Sequence, residues 1–261
     1  MRDPGSFPHA SLPQTTAALI ARLRARAPRV HCITNSVAQN FTANALLAAG
    51  AVPSMTLSAE EIGGFVAGAQ ALLVNLGTFD AERREATRIA VAAARERGIP
   101  WVLDPVFVDR SPQRAEFARE LIALAPAAVR LNSAEFSTLA GTGAARAAVA
   151  AFARAAQTVV ALSGATDVVS DGARFVAIGN GDPLMAKVTA MGCAGSALLA
   201  ACLAVHDDAF TASAAALLVF GVAGECAAEK ATGPGSFAVG ILDALAVLDA
   251  PVLLKQARVD P

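Results

Sequence analysis

Short apolar segments alternate with amphipathic helices along most of this chain, and that alternation restricts the possible folds more than any other feature. Residues 71–76 and 101–104 are two such segments, and residues 81–97 between them have the pattern of an amphipathic helix that Gly98 ends. Strands that are apolar on both faces are typical of parallel sheets covered by helices on two sides. The sequence therefore predicts an α/β fold, a three-layer α/β/α sandwich with a mostly parallel central sheet.

Composition and charge set the domain count and exclude several classes of partner. The chain has 261 residues, of which 55% are hydrophobic and 16% charged, and no Pro/Ser linker or charge block divides it. We therefore predict one domain over residues 1–261, with residues 1–13 frayed. The formal net charge of −1 predicts neither a nucleic acid nor an anionic membrane as a partner.

Targeting signals and cysteine spacing favour a cytoplasmic protein. Residues 1–13 contain Pro and Asp where a signal peptide needs an apolar core. The most apolar segment, residues 214–224, is expected to be too short to span a bilayer and to end at Glu225, which favours a buried helix or one packed on another subunit. The four cysteines have no CxxC spacing, which argues against a zinc site and a disulfide framework.

Polar residues follow several of the predicted strands, where α/β sheets bind their ligands. Asp104 is followed by Pro105, which holds it extended at the strand end. Asp104 and Glu135 are candidates to reach one magnesium ion, directly or through water. Arg130 is a candidate to hold phosphate oxygens. The alternatives are a turn cap for Asp104, an ordinary first-turn acid for Glu135 and a surface charge for Arg130.

Residues 187–197 carry the pattern of an anion site. An extended run over 187–189 leads through small residues into an alanine- and leucine-rich helix. Gly192 and Gly195 lack a Cβ, so backbone N–H groups can lie bare against a ligand. The first turn of a helix has unpartnered N–H groups and a partial positive charge, which binds phosphate. Cys193 stands at the rim of this turn; the alternative is a tight turn with a buried cysteine.

Other phosphate-binding motifs are absent from the sequence. It contains no GxxxxGK[ST] motif, so a P-loop is excluded. The segment 233–238 (GPGSFA) has some likeness to a dinucleotide fingerprint, but it follows no predicted strand and lies near the C-terminus. We interpret it as a rigid loop.

Taken together, these residues resemble a known family. The matching stretches are VHCITN at 30–35, NFTAN at 40–44, LLAAGA at 46–51, PSM at 53–55, LVNLGT at 73–78, LDPV at 103–106, Arg130 with Asn132 and Glu135, GDPLM at 181–185, KVT at 187–189, GC at 192–193 and GPGSF at 233–237. From about residue 15 to 250 the chain is similar to the hydroxyethylthiazole kinases of the ribokinase-like superfamily. This resemblance implies transfer of the ATP γ-phosphate to the primary hydroxyl of 4-methyl-5-(2-hydroxyethyl)thiazole, with Mg²⁺, in a homotrimer with active sites at subunit contacts.

The resemblance also implies roles for individual positions. Met55 and Ala190 would bind the thiazole, and Arg130 and Ser163 the nucleotide. Asp104 and Glu135 would organise magnesium, and the amides of Met191, Gly192 and Cys193 would form the anion hole. Cys193 stands where the wider superfamily has a catalytic aspartate. A free thiol is mostly neutral at physiological pH, so Cys193 is expected to orient the hydroxyl and assist proton removal late.

Some positions depart from the family pattern. Ala190 replaces a usual glycine, Met191 adds bulk beside the anion hole, and Leu131 replaces another glycine. If position 190 needs a positive φ, alanine there costs ~1 kcal/mol or more. Ser163-Gly164-Ala165 replaces a usual Thr-Gly-Glu, and the segment 141–156 is shorter than in relatives. Three hypotheses follow: a working thiazole kinase, a same-fold kinase with a shifted alcohol substrate, and a ligand-binding relative without turnover.

Overall fold

One nine-stranded sheet runs through the part of the chain that the computed structural model describes, residues 12–260. Its strands are β1 Arg29–Ile33, β2 Val52–Ser54, β3 Ala71–Asn75, β4 Trp101–Asp104, β5 Ala128–Asn132, β6 Val159–Ser163, β7 Asp167–Ser170, β8 Phe175–Ile178 and β9 Val259–Asp260. Their order across the sheet is β2-β1-β3-β4-β5-β6-β7-β8-β9. The first six are mutually parallel, and β7, β8 and β9 each pair antiparallel with the strand before them.

Eleven α-helices in the described residues cover the two faces of this sheet. They are α1 Leu12–Arg26, α2 Gln39–Ala49, α3 Ile62–Ala67, α4 Ala81–Glu96, α5 Pro112–Ile122, α6 Ser133–Ala140, α7 Arg146–Ala156, α8 Met191–Leu203, α9 Ala209–Ala228, α10 Pro234–Val247 and α11 Ala250–Gln256. Side chains of α3 to α7 share one hydrophobic core with the sheet, and those of α1, α2 and α8 to α11 share the other.

Strand β3 shows why this sequence forms three layers. All five of its residues are buried, and successive side chains of a strand point to opposite faces. Leu72 and Val74 pack in the core with α3 to α7, whereas Ala71 and Leu73 pack in the core with α8 and α9. The predicted three-layer sandwich with a mostly parallel sheet is confirmed.

The parallel strands bring polar residues from distant parts of the chain to one edge of the sheet. Asn75 at the end of β3 pairs with Asp104 at the end of β4, and Asn132 at the end of β5 pairs with Ser163 at the end of β6. The N-terminus of α8 lies against this edge, since Cys193 contacts Asn75 and Gly192 contacts Arg130 of β5. The predicted strand ends are thus confirmed as one cluster.

Three local predictions are wrong. Residues 187–189 do not form a strand: Lys187 ends a 3₁₀ turn over Pro183–Lys187, Val188 is extended as predicted with φ −115° and ψ 122°, and Thr189 belongs to the turn before α8. The segment 233–238 is not a rigid loop: Pro234, whose ring fixes a helical φ, opens α10, and Ser236 caps it. Of residues 1–13, predicted to fray, 1–11 lie outside the described residues, whereas Leu12 and Pro13 are already helical.

Helix α9 is longer than the sequence predicts. It covers twenty residues and is apolar enough to cross a bilayer, yet 83% of its most apolar window is buried inside the protein. Glu225 does not end the helix, because its carboxylate accepts hydrogen bonds from Asn180 Nδ2 at 3.0 Å and from the Gly181 amide at 2.8 Å and pairs with Arg258. The expected length is therefore wrong, and the expected buried helix is confirmed.

Candidate active site

The N-terminus of α8 is the centre of the polar cluster. Ala190 caps the helix in the left-handed conformation, with φ 72° and ψ 0°. The amide of Ala194 donates to the carbonyl oxygen of Ala190 at 2.9 Å, which is the first hydrogen bond of the helix. The amides of Met191, Gly192 and Cys193 come before it and have no partner in the preceding turn, so this end of the helix attracts anions.

Cys193 and Asp104 are joined through Asn75. The amide nitrogen Nδ2 of Asn75 donates to Asp104 Oδ2 at 2.7 Å and to the Cys193 sulfur at 3.3 Å. Ser196, one turn after Cys193 on α8, donates from Oγ to the same Asp104 oxygen at 2.7 Å. All four side chains are buried. Burial, and after it the nearby charge of Asp104, raise the pKa of the Cys193 thiol to about 12.

Asp104 and Glu135 form a pair of buried carboxyl groups. Glu135 Oε2 accepts from the Asn132 amide at 2.9 Å and completes a capping box at the start of α6, and its Oε1 accepts from the Phe107 amide at 3.1 Å. Burial, followed by the negative charge of Asp104, raises the pKa of Glu135 to about 7. Burial also raises the pKa of Asp104, against the opposing charge of Arg130.

A cavity of about 570 Å³ opens beside the first turn of α8. Arg130, Ser163, Met191 and Gly192 all line it. Arg130 donates from a terminal guanidinium nitrogen to the Gly192 carbonyl oxygen at 3.0 Å, while its Nε is buried without a hydrogen-bond partner. An arginine held in this way presents donors that remain available for an anionic ligand.

The two predicted thiazole-binding residues lie outside the lining of this cavity. Met55 follows β2, at the opposite side of the parallel strands from Ser163, and is partly buried against the core. Ala190 is half-buried at the cap of α8. Met191, although its side chain borders the cavity, is 6% exposed and packs into the core beneath, so its bulk leaves the cavity open.

Comparison with known proteins identifies the family. The model of the hydroxyethylthiazole kinase family matches residues 20–250. The chain belongs to the hydroxyethylthiazole kinase family. It is 45% identical over 256 residues to a probable hydroxyethylthiazole kinase of Agrobacterium fabrum, and the match covers 98% of each chain.

Solved structures agree with this assignment. The structure of the hydroxyethylthiazole kinase protein from Pyrococcus horikoshii superposes with a TM-score of 0.91 at 38% identity, over 95% of this chain and 98% of that one. A ribokinase-like superfamily protein from Enterococcus faecalis superposes with a TM-score of 0.69 at 12% identity, over 96% of this chain and 92% of that one. The latter likeness concerns the fold alone, which is ribokinase-like as predicted.

Within this kinase family fold, sequence reasoning missed several residues of the cluster. Asn75 lies in the matching stretch at 73–78 but has no role assigned from the sequence, and Ser196 has none either. Cys193 and Ser196 are three residues apart on one helix, and this spacing was an available signal that both face the same strands. Phe220 and Asp167, which also line the cavity, come from α9 and β7 and had no local signal in the sequence.

Proposed function

We propose that this protein transfers the γ-phosphate of ATP to the hydroxyl group of 4-methyl-5-(2-hydroxyethyl)thiazole and so supplies thiazole phosphate for thiamine synthesis. The observation that carries this proposal is the junction at the start of α8. There, Cys193 lies on one side of bare helix amides, and a cavity lined by Arg130 lies on the other. An acceptor hydroxyl and a phosphate donor can meet in line at such a junction.

Cys193 is assigned the role of orienting the hydroxyl group that accepts the phosphate. With a pKa of about 12, its thiol is neutral at physiological pH and is a poor general base. It therefore orients the hydroxyl by hydrogen bonding, and the proton leaves late. A thiol that orients the hydroxyl without removing its proton early suits phosphoryl transfer, because positioning and charge stabilisation supply most of the acceleration.

The phosphate donor is assigned to the cavity of about 570 Å³. Arg130 and Ser163 both line this cavity, so the guanidinium group can donate to phosphate oxygens and the Ser163 hydroxyl is available at the end of β6. The amides of residues 191–193 stabilise the charge that develops on the transferred phosphoryl group. ATP is the co-substrate in this reading.

The carboxyl pair fits a magnesium ion. In the described residues no group of three or more histidine, cysteine or acidic side chains can hold a metal, but Mg²⁺ is commonly bound by one or two carboxylates together with water and substrate phosphates. Asp104 and Glu135 provide two carboxyl groups whose mutual repulsion a cation would relieve. When bound, the ion would neutralise charge on the donor phosphates. Asp104 and Glu135 would hold it, and the first turn of α8 would face the same phosphates.

The thiazole is assigned to a site that includes Met55 and Ala190. This site would lie at a contact between subunits of a homotrimer. Val52 of the edge strand β2 and Phe65 of α3 are 45% exposed and line a second cavity of about 660 Å³. A second copy of the chain would cover such apolar side chains. We place this single-domain kinase in the cytoplasm, since its four cysteines are free.

An ADP-release assay tests the proposal. Purified protein with Mg-ATP should form ADP only when the thiazole alcohol is added, and chelation of magnesium should abolish turnover. The phosphorylated product should be detectable by mass spectrometry. Absence of alcohol-dependent ADP release across thiazole and pyrimidine alcohols would contradict the kinase reading.

A second candidate is a kinase of the same fold with a shifted alcohol substrate. Ala190 in a left-handed conformation is the observation that favours it, because this residue changes the turn that would face the substrate. Thermal-shift screening of related alcohols distinguishes the two. Stronger stabilisation by another alcohol than by the thiazole would favour the second candidate.

A further inference from the structure

Asn75 has a position in the site that no assigned role explains. It ends β3, is 1% exposed and lies directly beside Asp104 in the sheet register. Its Nδ2 group donates to both Asp104 Oδ2, at 2.7 Å, and Cys193 Sγ, at 3.3 Å. A side-chain amide has two N–H donors, and here both are used at once.

The orientation of this amide is fixed by the backbone. The amide N–H of Gly77 donates to Asn75 Oδ1 at 2.9 Å, and since a backbone N–H can only donate, the oxygen must face Gly77. Nδ2 therefore faces Asp104 and Cys193. A Cβ at position 77 would come within 2.6 Å of Asn35 Nδ2 and within 2.9 Å of Asn75 Oδ1. Glycine is required at this turn to hold Asn75 in place.

The hydrogen bond to sulfur determines where the thiol points. Because the Cys193 sulfur accepts from Asn75, the S–H bond must point away from Asn75. Cys193 is the second residue after the opening of α8, so a rotation of its side chain would carry the sulfur away from the strand ends. With one lone pair occupied by Asn75, the S–H bond loses one of its three staggered positions, so fewer orientations are presented to a neighbouring hydroxyl.

On the basis of the function proposed above, we propose that Asn75 is a positioning residue, which holds the Cys193 thiol in the orientation that aligns the acceptor alcohol. Asn75 acts through Cys193 and does not itself touch the substrate. The second hydrogen bond of Asn75 goes to Asp104, which also accepts from Ser196. Only the hydrogen bond to the Cys193 sulfur is therefore particular to Asn75.

Ser196 offers a matched comparison. Its Oγ donates to the same Asp104 oxygen at the same 2.7 Å, and its other hydrogen bond goes to the Gly192 carbonyl oxygen rather than to the Cys193 sulfur. Asn75→Ala removes one donor to Asp104, the donor to Cys193 and the acceptor of the Gly77 amide. Ser196→Ala removes one donor to Asp104 and leaves the donor to Cys193.

The experiment is a pair of double-mutant cycles, each combined with Cys193→Ala, with kcat and both KM values measured. Asn75→Ala should lower kcat about 10- to 100-fold, as expected for a misaligned reacting group, and should leave the KM for ATP within about twofold. In the Cys193→Ala background the same change should lower kcat by a clearly smaller factor, because residues that act through each other are not additive. Ser196→Ala should cost the same factor in both backgrounds.

Two further measurements keep the test decisive. Thermal unfolding reports whether each variant folds; if Asn75→Ala does not, Asn75→Ser retains one donor, which cannot serve both acceptors, and replaces it in the cycle. Equal costs of Asn75→Ala with and without the thiol would overturn the inference. Lack of thiazole-dependent turnover in the unmodified protein would instead refute the proposed function, so the two failures are distinguishable.

Discussion

Arg130 donates a hydrogen bond to the Gly192 carbonyl oxygen at 3.0 Å, which ties strand β5 to the first turn of α8. A Cβ at position 192 would lie 3.4 Å from the same guanidinium nitrogen, which is an ordinary van der Waals contact, so the approach depends on the hydrogen bond rather than on the missing side chain. The contact fixes the guanidinium at the mouth of the cavity that we assign to ATP. Arg130 thus serves both the shape and the charge of the site.

Replacement of Arg130 by lysine should therefore weaken ATP binding. Lysine keeps the positive charge but loses the planar fork of donors that matches phosphate oxygens. With one to two charge-assisted hydrogen bonds lost, the KM for ATP should rise by about 10- to 100-fold. Steady-state kinetics with varied ATP measure this change.

Arg22 provides the control for that variant. Its guanidinium also donates to a backbone carbonyl oxygen at 3.0 Å, that of Val205, far from the cavity in the chain and in the fold. Arg22→Lys should change the melting temperature without changing the KM for ATP. Equal effects of the two substitutions on the KM would show that Arg130 acts through the fold alone.

Replacement of Cys193 by alanine should lower kcat but not abolish it. The thiol orients the acceptor and is neutral, so its loss should cost roughly 10- to 100-fold in kcat, at or below the smallest factor that acid–base groups contribute. The KM for ATP should change little. Cys202→Ala is the matched control, because Cys202 lies in the same helix, is fully buried and packs in the core. An unchanged kcat in Cys193→Ala would favour a relative without thiol-assisted turnover.

Sequence reasoning reached the layers of this fold and part of the site. The apolar strands and the polar residues after them are local signals, so the sequence predicts Asp104 at a strand end, where the structure has it. A positive φ at position 190 is considered from the sequence, and Ala190 does adopt the left-handed conformation. These features depend on nearby residues only.

Contacts between distant segments were beyond the sequence. Asn75 and Cys193 are 118 positions apart, and nothing local in either segment indicates that a side-chain amide reaches the thiol. The β-branched pair Val188 and Thr189 favoured an extended run, but the tertiary setting keeps only Val188 extended and places Thr189 in a turn, since strand propensity is weak against context. Helix ends and long-range hydrogen bonds therefore required the structure.

Replacement of Ala190 by glycine should stabilise the protein. With φ 72°, the Cβ of Ala190 causes a steric strain that glycine lacks. After the greater freedom of glycine in the unfolded chain is subtracted, the substitution should raise the free energy of unfolding by about 1 kcal/mol. For a protein of this size the melting temperature should rise by about 2–4 °C.

The opposite sign is expected for the same substitution in a regular helix. Ala151 is exposed in the middle of α7, where glycine is a poorer helix former, so Ala151→Gly should destabilise the protein by about 1 kcal/mol. Differential scanning calorimetry compares the two variants. A lower melting temperature in both would mean that the turn at Ala190 is held without strain.

His31 should make the folded state sensitive to acid. It is fully buried, its Nε2–H donates to the Thr56 carbonyl oxygen at 3.1 Å and its Nδ1 accepts from Ser54 Oγ at 2.8 Å. Burial lowers the pKa of His31 from 6.5 to about 4, against the opposing bond to Thr56. Because the unfolded chain binds the proton more readily, this residue costs stability as the pH falls from 6.5 to about 4 and costs no more below that.

The size of this effect can be isolated with His31→Gln. A pKa lowered to about 4 corresponds to about 3 kcal/mol of unfolding free energy lost across that pH range. Urea unfolding at pH 7, 6, 5 and 4 should show a steeper loss for the unmodified protein than for the variant, since glutamine does not titrate. Parallel loss of stability in both proteins would mean that His31 is already protonated in the folded state or is not buried.

Because His31 holds Ser54 and Thr56 on either side of Met55, the same variant should also raise the KM for the thiazole alcohol at neutral pH.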